Sequence, residues 1–265
     1  MRHNERSAHV RLEAIRGTTV GTNIAADQSS QNSLLAALPK RDFQRIATQL
    51  EEVSLTLKQV VYDRSSPLRF VYFPINAVVS LVVRFSDGDM TEVATIGKEG
   101  VVGLPAFLRA HRTPFVAFAQ IEGRALRMSA HAFSTEIQQQ GALADVLFRY
   151  TQAFFVQVAQ GGACNQLHSV RQRCARWLLM CNDRVGSEQF VLTQEFLCQM
   201  LGVRRTTVSE IASGLQDAGL IRYSRGRITI LDRSGLEDVC CECYQVIRDE
   251  YDNAFSSKPR TRSRR

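Results

Sequence analysis

Apolar positions along the chain change their period twice. From Asn32 the spacing is helical: Leu34, Leu35 and Leu38 lead to Pro39, and Phe43, Ile46, Ala47 and Leu50 then recur at steps of three and four, predicting two short helices. Between about Glu52 and Met128 the helical period gives way to short β-branched and aromatic runs at residues 70–74, 77–85, 92–96, 115–121 and 125–128. Ser86-Asp87-Gly88-Asp89, the 97–100 segment and Glu122-Gly123 separate them with residues that tolerate positive φ. Strands this short and closely spaced predict a small β-roll whose interior is either a cavity or a packed core. From Ala142 to Asp183 no proline occurs and a helical stripe returns: Leu143, Leu147, Tyr150, Phe154 and Val158, then Leu167, Val170, Cys174, Trp177 and Leu178. Its early steps of four and three match a coiled-coil seam, interrupted at Gly161-Gly162. The stripe predicts a dimerisation helix covered by a second copy, the alternative being that it packs on its own domain.

After this helix, Phe190-Val191-Leu192 predicts a strand, and Thr193 an N-cap with Gln194 and Glu195 in the first turn. Phe196, Leu197, Met200 and Leu201 form the inner face of a helix that stops at Gly202. A second helix over about 204–218 turns Val208, Ile211 and Leu215 inward and Arg205, Thr206, Ser209, Glu210 and Ser213 outward. Gly219 follows as a C′ residue, and the 220–231 segment reads as a two-stranded wing turning at Arg225-Gly226. Two helices about a glycine turn, followed by a hairpin, form a winged helix-turn-helix. Its outward face carries the groups that read base edges: Arg for guanine O6 and N7, Glu for cytosine N4, Thr for a phosphate or a thymine methyl. Arg204, Arg205, Arg222, Arg225 and Arg227 meet only Glu210 and Asp217 between positions 204 and 227. The groove helix and the wing therefore share a positive face for phosphates.

Composition agrees with a polyanionic partner and excludes little else. The 265 residues are 45% hydrophobic and 22% charged, with a net charge of +7 and a pI near 9.2, enough for two globular domains. Residues 1–31 lack periodicity and read as a disordered arm; the 254–265 tail is basic. An α+β architecture follows, with a β-roll domain over 32–140, a dimerisation helix over 141–184 and a winged helix-turn-helix over 185–253. No run is long and apolar enough to predict a membrane span and no leader pattern precedes the roll, so a cytoplasmic location is expected. Seven cysteines, odd in number and all from Cys164 onward, read as reduced thiols. Cys240, Cys241 and Cys243 fall on a predicted helix, Leu236 to Tyr251, without the paired spacing of a zinc site, and His111 and His168 stand alone. Neither a metal nor a cofactor is expected. The absence of a nucleophile elbow, a phosphate loop and a paired-carboxylate cleft argues against an enzyme.

In the order of its parts the chain resembles the Crp/Fnr superfamily of transcription regulators over roughly residues 32–235. The stretches that carry the resemblance are Leu192-Thr193-Gln194-Glu195 through Leu201-Gly202-Val203-Arg204-Arg205-Thr206-Thr207-Val208-Ser209, and Leu215 through Gly219-Leu220-Ile221. Val71-Tyr72-Phe73-Pro74, the 97–103 turn and the 173–179 segment support it. The resemblance implies a homodimer whose recognition helices read two half-sites of a palindrome, with double-stranded DNA, a second copy and RNA polymerase as partners. By that match Arg205, Thr206 and Glu210 face base edges, Thr193 and Thr207 hold phosphates, and Ser209, Arg225 and Arg227 complete the contact set. Arg204 stands where the family often has a Ser or Thr cap, so the helix start is expected to shift. On the sensor side, the family's cyclic-AMP-holding Gly-Glu-Leu turn and Arg-Ser-Ala stretch correspond to Gly103-Leu104-Pro105 and Arg112-Thr113-Pro114, without the ribose-binding carboxylate. Apolar Val158 and Ala159 replace polar groups that reach the base. The chain is therefore not expected to bind cyclic AMP, although Gly103, Leu104, Arg112, Thr113 and Val158 remain candidates for another effector, with Arg112 as an anion holder. The iron–sulfur cluster of other members is not expected, because no cysteine precedes Cys164. A different class of function stays open: a ligand- or redox-sensing module whose C-terminal domain contacts protein.

Overall fold

The computed structural model describes residues 19–20, 31–64 and 66–256. Within the predicted arm, β1 (Thr19–Val20) is an ordered strand that pairs antiparallel with Val53 and Glu52; the rest of the arm lies outside the described residues. Two short helices follow as expected, α1 (Ser33–Ala36) and α2 (Lys40–Ala47). Asn32 caps α1 by accepting the Leu35 amide at 3.1 Å, and its Nδ2 donates to the carbonyls of Pro74 and Gly100 at 2.9 and 3.0 Å. One fully buried amide thus ties the first helix to two turns of the roll.

The strands are β2 (Glu51–Leu55), β3 (Val60–Tyr62), β4 (Phe70–Pro74), β5 (Val78–Arg84) and β6 (Met90–Ile96), then, after the single-turn α3 (Leu104–Phe107), β7 (Phe115–Ile121) and β8 (Gly123–Ser129). They build two antiparallel four-stranded sheets in the orders β1-β2-β8-β4 and β3-β7-β5-β6. The 86–89 segment closes the β5–β6 hairpin, whereas Glu122 is a corner where the chain leaves one sheet for the other. Between the sheets, Tyr62, Leu68, Tyr72 and Leu81 interlock with Ala77, Ala94, Ala117, Ala119 and Ala125. Large side chains set against small ones fill the taper of such a roll, so its interior is a packed core.

Past α4 (Ala130–Gln138) run α5 (Ala142–Leu167) and α6 (Val170–Val185). Two expectations about this region are corrected. Gly161 and Gly162 lie inside α5, and the break falls at His168, whose backbone is extended, with Ser169 and Gln172 forming a capping box that starts α6. A mid-helix glycine costs only about 1 kcal/mol against alanine, while a capping box supplies the partners a new helix start needs. The stripe of Leu143, Leu147 and Tyr150 is fully buried against its own chain; the exposed aromatic side chains of α5 are Phe148 and Phe155, one heptad apart and 65% and 66% accessible.

The remaining elements are β9 (Gln189–Val191), α7 (Gln194–Leu201), α8 (Arg205–Asp217), β10 (Ile221–Ser224), β11 (Arg227–Ile230), α9 (Arg233–Val239) and α10 (Cys243–Phe255). The single helix expected over 236–251 is therefore two, divided at residues 240–242. α10 leaves the helix-turn-helix and runs back along α5: the Tyr251 and Tyr150 ring centroids are 6.1 Å apart, and Arg149 Nε donates to the Ala254 carbonyl at 2.8 Å. Residues 243–253, placed by sequence with the DNA-reading unit, thus pack elsewhere. Ala254 and Phe255 close this helix rather than opening a tail, and the tail beyond Ser256 lies outside the described residues.

Two polar knots fasten α6 to the roll. The Arg184 guanidinium, 5% exposed, donates to Glu99 Oε1, the Met180 carbonyl and Gln157 Oε1 at 2.8, 3.1 and 2.9 Å. Glu99 sits in the 97–100 turn, which must pass so close that a Cβ on Gly97 would lie 2.5 Å from Arg184 Cβ, and one on Gly100 2.5 Å from Tyr150 Oη. In the second knot Trp177 Nε1 donates to Glu92 Oε1 at 2.8 Å, while Glu92 Oε2 lies 2.7 Å from Ser80 Oγ. Among the described residues no helix is long and apolar enough to cross a membrane.

Candidate nucleic-acid interface

Both helices of the helix-turn-helix start and stop where local chemistry directs. Thr193 Oγ1 accepts the Phe196 amide at 3.2 Å and opens α7; Gly202, at φ 64°, closes it in the left-handed conformation that favours glycine. α8 begins at Arg205, one residue later than expected, because Arg204 occupies the cap position with no side-chain hydrogen bond to the first turn. Val208, Ala212 and Leu215 anchor its inner face, with Ile211 half-buried beside them. Arg204, Arg205, Thr206, Ser209, Glu210 and Ser213 are exposed, and Thr207 is half-buried.

β10 and β11 pair from Ile221–Ile230 to Ser224–Arg227, leaving Arg225 (φ 50°) and Gly226 (φ 73°) as a two-residue turn with both φ positive. That is the geometry matching the twist of a tight hairpin. β9 adds a third strand beside β11, and the Leu192 amide donates to the Gly226 carbonyl at 2.7 Å. Tyr223 Oη donates to the Leu192 carbonyl at 3.0 Å, and Gln216 Oε1 accepts the Tyr223 amide at 2.7 Å. The wing is thus clamped to the start of α7 and the end of α8, and Arg225 and Arg227 stand exposed on it.

These parts meet in an open cleft of about 530 Å³ lined by Thr193, Gln194, Glu195, Arg205, Tyr223, Arg225 and Gly226. Three positions marked from sequence, Thr193, Arg205 and Arg225, are brought together there from three different elements. Gln194 and Tyr223 were not marked. Gln194 Oε1 accepts from Arg205 Nε at 3.3 Å and so sets the direction of that arginine, and Tyr223 fixes the wing. Gln194 carried a readable signal, its place in the first turn after a cap, whereas the role of Tyr223 depends on contacts across 31 residues. Arg204, Arg205, Arg222, Arg225 and Arg227 are all exposed, and among the described residues none is held in an ion pair. Their charge is free for a polyanion.

The five positions marked in and beside the roll fall at the start of α3, on the turn before β7 and on α5. Gly103, at φ 116°, caps α3 with a Cβ position 2.8 Å from Val71 Cγ1, and Leu104 is buried in the main core. Arg112 is exposed on the turn before β7, and Thr113 Oγ1 accepts the Phe115 amide at 3.3 Å. Val158 lines a different place, a cleft of about 220 Å³ between β6, α5, α6 and the end of α7, whose walls include Glu92, Trp177 and Met200. α7 itself docks on the roll there: the Phe196 and Phe118 rings meet edge-on at 5.6 Å. Burial at this junction pushes the Glu92 carboxyl up to about 7, against the lowering effect of its bonds to Ser80 and Trp177. Ser80 Oγ lies 2.7 Å from Glu92 Oε2 and 2.5 Å from Gln120 Oε1, so its one proton is contested by two acceptors.

Residues 172–239 match the family model of the Crp-like helix-turn-helix domain. Among curated proteins none matches the sequence. Solved structures that resemble the chain include FixK2 from Bradyrhizobium japonicum, 19% identical with a TM-score of 0.62, the match covering 72% of this chain and 98% of that one. Another is TTHB099, a transcriptional regulator of the CRP family from Thermus thermophilus, at 21% identity, TM-score 0.58 and coverage of 70% and 95%. A third is the c-di-GMP responsive global regulator CLP from Xanthomonas campestris, at 14%, 0.56, and 72% and 99%. Identities this low establish the shared fold.

Proposed function

We propose that the chain is a Crp/Fnr-type transcription regulator that binds a palindromic DNA site as a homodimer, a reading supported by its Crp-like helix-turn-helix domain and by its fold. α8 enters the major groove, where Arg205, Thr206, Ser209 and Glu210 read base edges. Thr193, Arg204, Thr207, Arg225 and Arg227 hold the flanking phosphates and set the register. The observation that carries this reading is the convergence of Thr193, Arg205 and Arg225 on one cleft, within a surface whose five arginines have no carboxylate partner among the described residues. The second copy packs on another face of α5 from the one the sequence pattern suggests, through Phe148 and Phe155, which stay largely exposed among the described residues even though the Phe107 ring meets Phe148 edge-on.

The roll acts as the sensor domain and does not take cyclic AMP. In support, Leu104 is committed to the core, the Thr113 hydroxyl is engaged with backbone, Arg112 faces solvent, and the inter-sheet space is filled. A buried phosphate there would lack a charge partner. RNA polymerase is the further partner this reading carries, and the cytoplasm its location. Fluorescence anisotropy on a selected duplex tests the assignments. Arg205→Ala is expected to relax sequence preference at one base pair per half-site by about 1–3 kcal/mol, whereas Arg225→Ala weakens all duplexes alike and lowers the salt slope by about 1 per half-site. Equal loss on every sequence from Arg205→Ala contradicts direct readout.

A further inference from the structure

Three of the chain's cysteines form a small core of their own. Cys164, Cys241 and Cys243 are buried together, with half-buried Cys240 against them and no aliphatic or aromatic side chain in the cluster. A free cysteine packs as a small hydrophobe, but here sulfur gathers on sulfur instead of among carbon side chains. His168, at the break between α5 and α6, completes it. One donor atom from each of Cys164, His168, Cys241 and Cys243 lies within 4.8 Å of all the others. Cys164 Sγ is 3.5 Å from Cys241 Sγ, and Cys243 Sγ is 3.5 Å from His168 Nδ1.

We infer that Cys164, His168, Cys241 and Cys243 are the ligands of one zinc ion that fastens the α9–α10 loop to the α5–α6 break. Tetrahedral zinc, with bonds of about 2.3 Å to sulfur and about 2.0–2.1 Å to imidazole nitrogen, holds neighbouring donors roughly 3.5–3.8 Å apart; the Cys164–Cys241 and Cys243–His168 pairs stand at 3.5 Å, and all four donors lie within 4.8 Å of one another. Three thiolates and an imidazole are soft and borderline donors that select zinc over magnesium or calcium. A multi-iron cluster needs its cysteines aimed at different metal centres, and four donors this close converge on a single point. The surroundings are those of a metal-bound histidine: Nε2 of His168 lies 3.3 Å from Glu242 Oε2, so the carboxylate holds the proton on Nε2 and leaves Nδ1 free to face the thiols. Gln160 Nε2 donates to Cys243 Sγ at 3.2 Å, a bond suited to a thiolate. Cys240 stands outside the set, its thiol donating to the Cys241 carbonyl at 3.3 Å.

The ligands pair as Cys-x₃-His at the end of α5 and Cys-x-Cys before α10, two segments separated by more than seventy residues of sequence. The ion closes the loop that contains the whole helix-turn-helix. It holds α10 on α5 and fixes the junction where the roll hands over to α6.

The test is the metal content of the full chain purified under reducing conditions without chelator. One zinc per chain is expected after dialysis, retained in Cys240→Ser and lost in Cys241→Ser, Cys243→Ser and His168→Gln. Glu242→Gln keeps the four ligands and is expected to weaken zinc binding about 10–100-fold. Since ligand variants can misfold, the wild-type chain is also stripped and titrated with cobalt(II) alone. One equivalent should produce the strong visible bands of a tetrahedral ion with thiolate charge transfer, displaced by zinc. Metal well below one equivalent together with no such cobalt spectrum, a Cys164–Cys241 disulfide in the chain as it comes from cells, or loss of metal in Cys240→Ser overturns the assignment.

Discussion

Arg184→Met removes the charge at the centre of the knot between α6 and the roll and keeps much of the side-chain volume. The guanidinium is 5% exposed and makes three hydrogen bonds, one to the Glu99 carboxylate. After the substitution Gln157 keeps the Thr95 carbonyl and the Tyr251 hydroxyl as partners. Glu99 fares worse: its Oε2 has no hydrogen-bond partner among the described residues, and its Oε1 retains only the Gly97 amide at 3.0 Å. Removing one side of a buried ion pair strands the other charge and costs about 3–5 kcal/mol. Adding Glu99→Gln to Arg184→Met removes the stranded charge and should recover roughly 1–3 kcal/mol, a coupling that a double-mutant cycle isolates. Urea unfolding followed by circular dichroism and by the fluorescence of Trp177, the chain's single tryptophan, reads both numbers. A loss under about 1 kcal/mol for Arg184→Met, or no recovery on adding Glu99→Gln, refutes the reasoning.

Gly100→Ala places a methyl 2.5 Å from the hydroxyl of fully buried Tyr150 and is expected to cost about 1–3 kcal/mol in the same assay, while Gly141→Ala, with open space around its Cβ position, costs nothing. The raised Glu92 carboxyl, at about 7 in the folded chain against a reference of 4.5, makes folding take up a proton. Its stabilising effect is complete below about pH 4.5 and lost as pH rises through 7, so Glu92→Gln should gain on the order of 1–3 kcal/mol over wild type at pH 8 and nothing at pH 4.5. An equal difference at both pH values removes burial as the cause. Phe155→Glu, on the exposed face of α5, is expected to turn a dimer into a monomer in sedimentation velocity and leave the melting of the monomer within about 0.5 kcal/mol of wild type; an unchanged dimer moves the interface elsewhere.

Local pattern was most informative where neighbours in sequence are also neighbours in space. The cap at Thr193, the glycine stop at Gly202, the wing turn at Arg225-Gly226 and most roll strands could be read from spacing and turn chemistry alone. Periodicity reports that a face is buried but not against what. The Leu143, Leu147 and Tyr150 stripe therefore gave the right helix and the wrong partner, and Tyr244, Ile247 and Tyr251 could not announce that α10 returns to α5. The Arg184–Glu99 pair spans 85 residues, and Cys243 meets His168 across 75. No window on the sequence joins such positions, although Cys-x₃-His and Cys-x-Cys are each legible once it is known that they meet. The helix break at Ser169 was written in its capping box and overshadowed by the glycine pair upstream.

The central claim is that two symmetry-related copies of the face beginning at Arg205 read base pairs. Selection of bound fragments from random duplex DNA by the full chain at moderate salt tests it directly. The account predicts enrichment of a two-fold symmetric motif whose half-sites lie about 10–10.5 base pairs apart, centre to centre. Recovery of no motif above random competitor, or of a single asymmetric site bound by one copy, contradicts it.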